Sequence, residues 1–273
     1  MPGKTKKCGY WQYKNTPGIT MKAKIIVSII VLFFTSVKSF AGWYDIYNYT
    51  GYIDRYPITL SFQLKEGYFG EPAKKSYNII GIYKYDKFNS PIRLEGVFNQ
   101  STHEIKLNEI GSFDKISATF SLHFSSLQLS GSWSGGKSRL AVKLNLANRL
   151  SDLAAEAFDN IQILQYSSLR DYYFIGIYAK KTEARNAGMT TLKIIKKADN
   201  KIFQTLHFES VETPTGNLMT IIYDNITTGK GNNFIISNQI GRVGGYLSVD
   251  FNPKSKRFIL NPEPIAEGGN GSE

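Results

Sequence analysis

Three carboxylates, Glu95, Glu104 and Glu109, fall within runs of alternating apolar and polar residues. Two carboxyl groups flanking one bond are what a glycosidase needs, one as acid and the other as base or nucleophile. Glu104 alternates outward with Lys106, however, and charges on a solvated face are the favoured account of all three. His103, His123 and His207 stand in separate runs without H-x-x-x-H or H-E-x-x-H spacing, so a zinc site has no support. A hydrolase elbow needs serine at the centre of G-x-S-x-G, whereas Gly131-Ser132-Trp133-Ser134-Gly135 puts Trp133 there. The segment Asn225 to Asn233, reading NITTGKGNN, lacks the G-x-x-x-x-G-K-[ST] spacing of a phosphate loop and reads as a hairpin loop. These patterns point away from an enzyme and toward a chain without metal or cofactor. A carboxylate-dependent hydrolase stays open as the lesser alternative.

Recognition has more support than catalysis. Trp43, Tyr44, Tyr47, Tyr49, Tyr52 and Tyr56 crowd one short stretch, more rings than one buried strand face absorbs. Tyrosine and tryptophan give large contact area at small entropy cost and are enriched at binding hot spots. A second feature is Gly229-Lys230-Gly231-Asn232-Asn233 with Gly241-Arg242-Val243-Gly244-Gly245, two glycine-rich loops carrying one cation each. Loops on β scaffolds often hold binding residues. The candidate partner-binding set is therefore Trp43, Tyr47, Tyr49, Tyr52, Lys230, Asn232, Asn233 and Arg242. A tyrosine-rich first strand half in the core, and loops that merely connect strands, are the alternatives.

Compartment follows from the start of the chain. Ile25 to Phe34 is an apolar run preceded by Lys22 and Lys24 and followed by Ser39-Phe40-Ala41, the layout of a secretory signal. The run is too short for a permanent membrane anchor, which needs about 20 apolar residues. Cleavage after Ala41 is expected, giving a periplasmic or secreted protein beginning at Gly42. Translation from Met21 would by itself give a signal of ordinary length, and translation from Met1 a long n-region. The leader holds seven lysines and no acid, so its loss lowers the formal charge from +11 to +4. A mildly basic remainder without a basic stripe does not suit nucleic acid. The single cysteine, Cys8, also lies in the leader, so packing alone must hold the mature chain, as in many bacterial envelope proteins.

The elements that would position any site are mostly strands. Period-two alternation appears at Ile58-Leu60-Phe62-Leu64, Ile92-Leu94-Gly96-Phe98, Ile105-Leu107, Ile116-Ala118-Phe120-Leu122-Phe124, Leu127-Leu129-Gly131-Trp133 and Leu140-Val142-Leu144-Leu146. With Tyr77 to Tyr85 and the stretch around Trp43 to Tyr49, this predicts seven or eight antiparallel strands over 42–149, a meander curling into a barrel or strongly twisted sheet. Bulky inward residues predict a filled interior without a ligand cavity. Leu150, Leu153, Ala154, Ala157, Phe158 and Ile161 then follow helical spacing, with Ser151 as N-cap, predicting a connecting helix over 150–162. A second β-rich domain is expected over 163–262, including a strand over 217–224, and a disordered tail over 263–273.

From Tyr77 to Leu146 the chain resembles a β-rich domain of secreted bacterial proteins of mostly unassigned function. The resemblance is carried by YNIIGIYKYD, Pro91-Ile92-Arg93-Leu94-Glu95-Gly96, Ile105 to Glu109 (IKLNE) and Leu129 to Trp133 (LSGSW). It implies a build similar to periplasmic immunity proteins and lysozyme-inhibitor-like proteins, and brings no catalytic residues. The expectation is a secreted envelope protein that binds a protein partner without turnover, as an immunity protein or inhibitor of a toxin or cell-wall hydrolase. A glycan, lipid or small-molecule binder is the alternative.

Overall fold

The structure, a computed structural model, describes residues 45–64, 78–125, 127–151, 157–180, 187–208, 225–237, 245–263 and 265–266. The leader, Trp43, the strand predicted over 217–224 and Arg242 lie outside the described residues. Eight strands follow in succession: β1 (Asp45–Ile53), β2 (Tyr56–Leu64), β3 (Ile79–Tyr85), β4 (Ile92–Asn99), β5 (Glu104–Ile110), β6 (Ile116–Phe124), β7 (Gln128–Gly135) and β8 (Ser138–Ser151). Each pairs antiparallel with the next, and β1 pairs with β8, so the meander closes into a barrel. Closure satisfies the backbone of every strand and leaves no open edge. Three glycines mark close crossings. A Cβ at Gly51, Gly96 or Gly131 would lie 2.2, 1.9 or 2.1 Å from a carbonyl oxygen of the neighbouring strand, so the wall bends where side chains are missing.

The alternation that defines the strands also fills the barrel. Leu60, Phe62, Leu94, Leu107, Phe120, Leu129 and Leu144 are buried in one interior cluster, as an eight-stranded barrel of bulky inward residues requires. At the end where the chain enters, Tyr47 stacks on Phe62 with ring centres 5.2 Å apart, and Phe124 meets Tyr47 edge-on at 5.4 Å. Arg149 lies 5.1 Å above the Tyr47 ring and donates to Asp45 at 2.6 Å. Burial raises the Tyr47 pKa, with Asp45 adding to the effect and Arg149 opposing it.

The predicted helix over 150–162 is corrected by the strands on either side of it. Leu150 and Ser151 end β8, while Phe158 and Ile161 belong to β9 (Phe158–Ser168). A bulge explains why Leu150 faces outward. Asn48 pairs with Asn148 but Tyr49 pairs with Leu146, leaving Ala147 as an extra residue. One extra residue reverses which side chains face inward. Leu144 and Leu146 therefore pack inside the barrel, while Leu150 packs outside it. The apolar residues at 150, 158 and 161 belong to two strands meeting a shared core, and their helix-like spacing is incidental.

That outer core belongs to two further sheets. β9, β10 (Tyr172–Lys180), β11 (Gly188–Lys196) and β12 (Ile202–His207) form one, in the order β12-β11-β10-β9. β13 (Ile226–Thr228), β14 (Phe234–Ser237), β15 (Gly245–Asn252) and β16 (Arg257–Leu260) form the other, with β17 (Ile265–Ala266) pairing β15. The tail expected to be disordered from 263 thus contributes a short strand. Phe174 of one sheet meets Phe234 of the other with ring centres 4.8 Å apart. At one edge Gln204 spans the sheets, donating to the Phe258 carbonyl at 2.7 Å and accepting from its amide at 2.9 Å. At the other edge the Ser167 hydroxyl donates to the Ile226 carbonyl. Ile46, Ile82 and Leu150 of the barrel wall join the same buried cluster as Ile163, Phe174 and Phe234. The barrel wall is consequently two-sided, with one core inside and another against its outer face.

Candidate functional site

The turns β1–β2, β3–β4, β5–β6 and β7–β8 all lie at one end of the barrel, because every odd-numbered strand runs toward it. Each carries an exposed cation, respectively Arg55, Lys87, Lys115 and Lys137. Large apolar side chains stand exposed at the same end: Tyr52 at 55 %, Tyr56 at 39 %, Phe88 at 65 %, Phe113 at 92 % and Ile116 at 60 %. Single exposed apolar residues are ordinary, but five of them gather at this end with cations beside them. Arg55 lies 5.3 Å from the centre of the Tyr56 ring and Lys87 5.9 Å from that of Phe88.

The rim rests on a buried base. Phe88 meets Tyr85 at 6.3 Å, Tyr85 meets Tyr83 at 5.5 Å, and Tyr83 meets Phe120 at 5.2 Å, all edge to face. Beneath them the buried Glu109 carboxylate accepts from the Tyr83 hydroxyl and the Trp133 indole N–H through Oε1. Its Oε2 accepts from the Ser117 hydroxyl at 3.1 Å. Burial raises the Tyr83 pKa strongly, and the adjacent Glu109 raises it further. The phenol accordingly remains a donor at any physiological pH. Every donor here is held by the carboxylate, so the cluster is a structural base for the rim.

Phe113 is the least economical residue of the rim. Its φ of 60° and ψ of 32° are left-handed, and Asp114 follows at φ 55°. Gly111 N–H donating to the Lys115 carbonyl at 2.8 Å closes the turn. Consecutive left-handed residues are usually Asn-Gly, and a bulky side chain at positive φ is an outlier. This position combines backbone strain with an aromatic ring in water, and no packing among the described residues rewards either.

The structure separates the residues singled out from sequence. Tyr47 and Tyr49 belong to the barrel core and are corrected from partner contacts to packing residues, because inward alternation takes both rings away from solvent. Tyr52 faces outward on β1, near the rim. Lys230 and Asn232 lie in the β13–β14 turn, where Lys230 is exposed. Asn233 spends its side-chain oxygen on the Phe251 amide at 2.9 Å. These three occupy a different sheet from Tyr52. The carboxylates do not share a site either: Glu95 is ion-paired with Arg93, Glu104 is exposed at the opposite end of the barrel, and Glu109 lies inside. His103 and His123 rings are 6.4 Å apart, yet no group of three potential metal ligands occurs among the described residues. Comparison with known protein families, curated proteins and solved structures gives no match for this chain.

The rim residues outside the sequence-derived set left a signal of their own. Phe88 and Phe113 sit inside turn clusters, Lys87-Phe88-Asn89-Ser90-Pro91 and Ser112-Phe113-Asp114-Lys115, where an aromatic side chain has no core to enter. Glu109 shares the inward phase of Ile105 and Leu107, an acid in an apolar position.

Proposed function

We propose that this chain is an exported binding protein that engages a protein partner, without turnover, through the turn end of its barrel. The observation that carries the reading is Phe113, an almost fully exposed aromatic residue held in left-handed backbone. Strain of this kind clusters where function requires it. The neighbouring exposed rings and the four turn cations supply the mixed aromatic and cationic chemistry of a protein interface. Export and cleavage after Ala41 rest on residues 22–41, and the resemblance over 77–146 to secreted β-rich domains supports the same compartment. Within that compartment, blocking the active site of a toxin or cell-wall hydrolase suits a rigid rim of projecting turns. An immunity protein or inhibitor is the specific role we infer.

The test is affinity purification of the wild-type protein, Phe88→Ala and Phe113→Gly from an envelope fraction. Wild type should retain a stoichiometric partner, and each variant should lose about 2 kcal/mol of binding, close to thirtyfold in Kd. Phe113→Gly should fold at least as stably as wild type, to within about 1 kcal/mol, because glycine accepts the left-handed conformation. Equal retention by all three proteins would overturn the rim as the binding surface. Hydrolysis of a wall or peptide substrate, abolished by a carboxylate substitution, would overturn the non-catalytic reading.

A further inference from the structure

A second site lies on the flank of the barrel. Between the outer face of β1, β2 and β8 and the facing strands β9 and β10 is a cleft of about 390 Å³, within the size range of small-ligand sites, about 300–1,000 Å³. Two bulges furnish it from opposite sides. The extra residue at Ala147 turns Asn148 to the outer wall of β8. On β9, Asp159 and Asn160 together oppose Ala179, and Asn160 takes φ 57°. Bulges next to binding sites re-aim side chains, and here two facing ones each deliver a carboxamide to the same space.

The cleft chemistry is specific. The side chains of Thr50, Asn160 and Gln162 line it without an intramolecular hydrogen bond among the described residues. The Asn148 oxygen accepts from Asn48 Nδ2, and the Ser61 hydroxyl donates to the Asn48 oxygen at 2.6 Å, so Asn148 is fixed with its own amide N–H groups left to donate. The one cation, Lys84, is already neutralised: its ammonium lies 2.9 Å from Asp86 Oδ1, 3.2 Å from Asn89 Oδ1 and 5.3 Å from the centre of the Tyr173 ring. Desolvation, reinforced by Asp86, pushes the Tyr173 pKa up to about 12, so the ring adds no charge at neutral pH. Carboxamides and hydroxyls both donate and accept, which matches a ligand whose groups also do both. Leu164 and Ile175 add an apolar patch to the wall.

From this we infer that the cleft between the barrel wall and the β9–β10 sheet binds a neutral saccharide. Hydroxyl groups would exchange hydrogen bonds with Thr50, Asn148, Asn160 and Gln162, while a C–H face would rest on the apolar patch. The site shares no lining residue with the exposed rings of the rim proposed to meet a partner.

The test uses the purified protein on an array of neutral and anionic oligosaccharides, with hits measured by calorimetry. A neutral saccharide should bind, and Gln162→Ala and Asn160→Ala should each weaken it at least fivefold. Both side chains are exposed and unpartnered, so Gln162→Ala should keep the wild-type melting temperature, whereas Asn160→Ala, placed at a left-handed φ of 57°, should lower it by a few degrees while the protein stays folded. Phe113→Gly should leave saccharide affinity unchanged, which separates failure of this site from failure of the rim. Absence of any saccharide binding, a preference for anionic sugars, or affinity unmoved by both cleft variants would each overturn the inference.

Discussion

The barrel lumen and the cleft on the barrel's outer wall are both furnished with polar groups, and they differ in how those groups are used. In the lumen, one carboxylate of Glu109 takes donors from Tyr83, Trp133 and Ser117, and large apolar side chains occupy the remaining interior. In the cleft, Asn48 and Ser61 hold Asn148 in place, but Thr50, Asn160 and Gln162 keep their hydrogen-bonding capacity. The two sets also differ in depth, Glu109 being buried while Thr50, Asn160 and Gln162 are exposed. Those that satisfy one another make structure, whereas those left over have capacity for a ligand. The reason is that a buried group without a partner costs about 1–3 kcal/mol and must be paired within the protein, whereas an exposed one is paired with water until a ligand replaces it.

The strongest test of the contrast removes lumen volume. Phe120 is completely buried and packs edge-on against Tyr83 at 5.2 Å, so Phe120→Ala should lower stability by about 3–5 kcal/mol in chemical denaturation. A loss below about 1 kcal/mol would show a slack lumen and dissolve the distinction from the cleft.

A smaller effect should follow from removing the acceptor at the centre of the lumen network. Glu109→Ala strands the Tyr83, Trp133 and Ser117 donors and should cost about 3 kcal/mol. Glu109→Gln keeps a carbonyl oxygen in the same place and should cost about 1 kcal/mol. If the two variants proved equally stable, hydrogen bonding to Glu109 would not be what secures that end of the barrel.

The smallest effect concerns the one lumen group among the described residues that breaks the rule. The Tyr49 hydroxyl is buried without a hydrogen-bond partner, while its ring stacks on Phe62 at 5.7 Å. Tyr49→Phe should therefore be neutral or stabilising by up to about 1 kcal/mol in a thermal melt. Tyr83→Phe, by contrast, should destabilise. Burial, with Tyr47 adding to it, raises the Tyr49 pKa well above the ordinary phenol value. The sign for stability follows directly. Tyr49 is neutral in both states below pH 10, and as pH rises above 10 the unfolded chain ionises first. Its contribution is then lost progressively with alkali. Wild type should unfold more readily above pH 10, and Tyr49→Phe should soften that decline. An unchanged alkaline profile would mean that Tyr49 is not the group responsible.

Most of the barrel was legible because period two is a direct record of half-buried strands. Ile58, Leu60 and Phe62 or Phe120, Leu122 and Phe124 can face one interior only if the chain is extended, and the short turn clusters between runs leave antiparallel neighbours as the sole arrangement. The error at 150–162 has an equally physical source. A bulge at Ala147 turns Leu150 into the outer core that Phe158 and Ile161 also meet, so these residues are apolar because two strands share that core, and their helix-like spacing is a coincidence. Tyr47 and Tyr49 were ambiguous for a related reason, since a tyrosine-rich strand looks alike whether its rings face a core or a partner.

The residue pattern by itself therefore determined that this chain would form consecutive antiparallel strands, which residues would line the barrel, and that Glu109 stood in an apolar phase. Alternation is local, and local backbone geometry reads it out directly. Tertiary structure alone decided that four turns present their cations and exposed rings at one end, that Ile46, Ile82 and Leu150 turn outward into a second core, and that Asn148, Asn160 and Gln162 meet across a cleft. Those outcomes depend on barrel closure, on two single-residue bulges and on the packing of distant sheets. Each is set by residues far apart in the chain, so no window of sequence contains them.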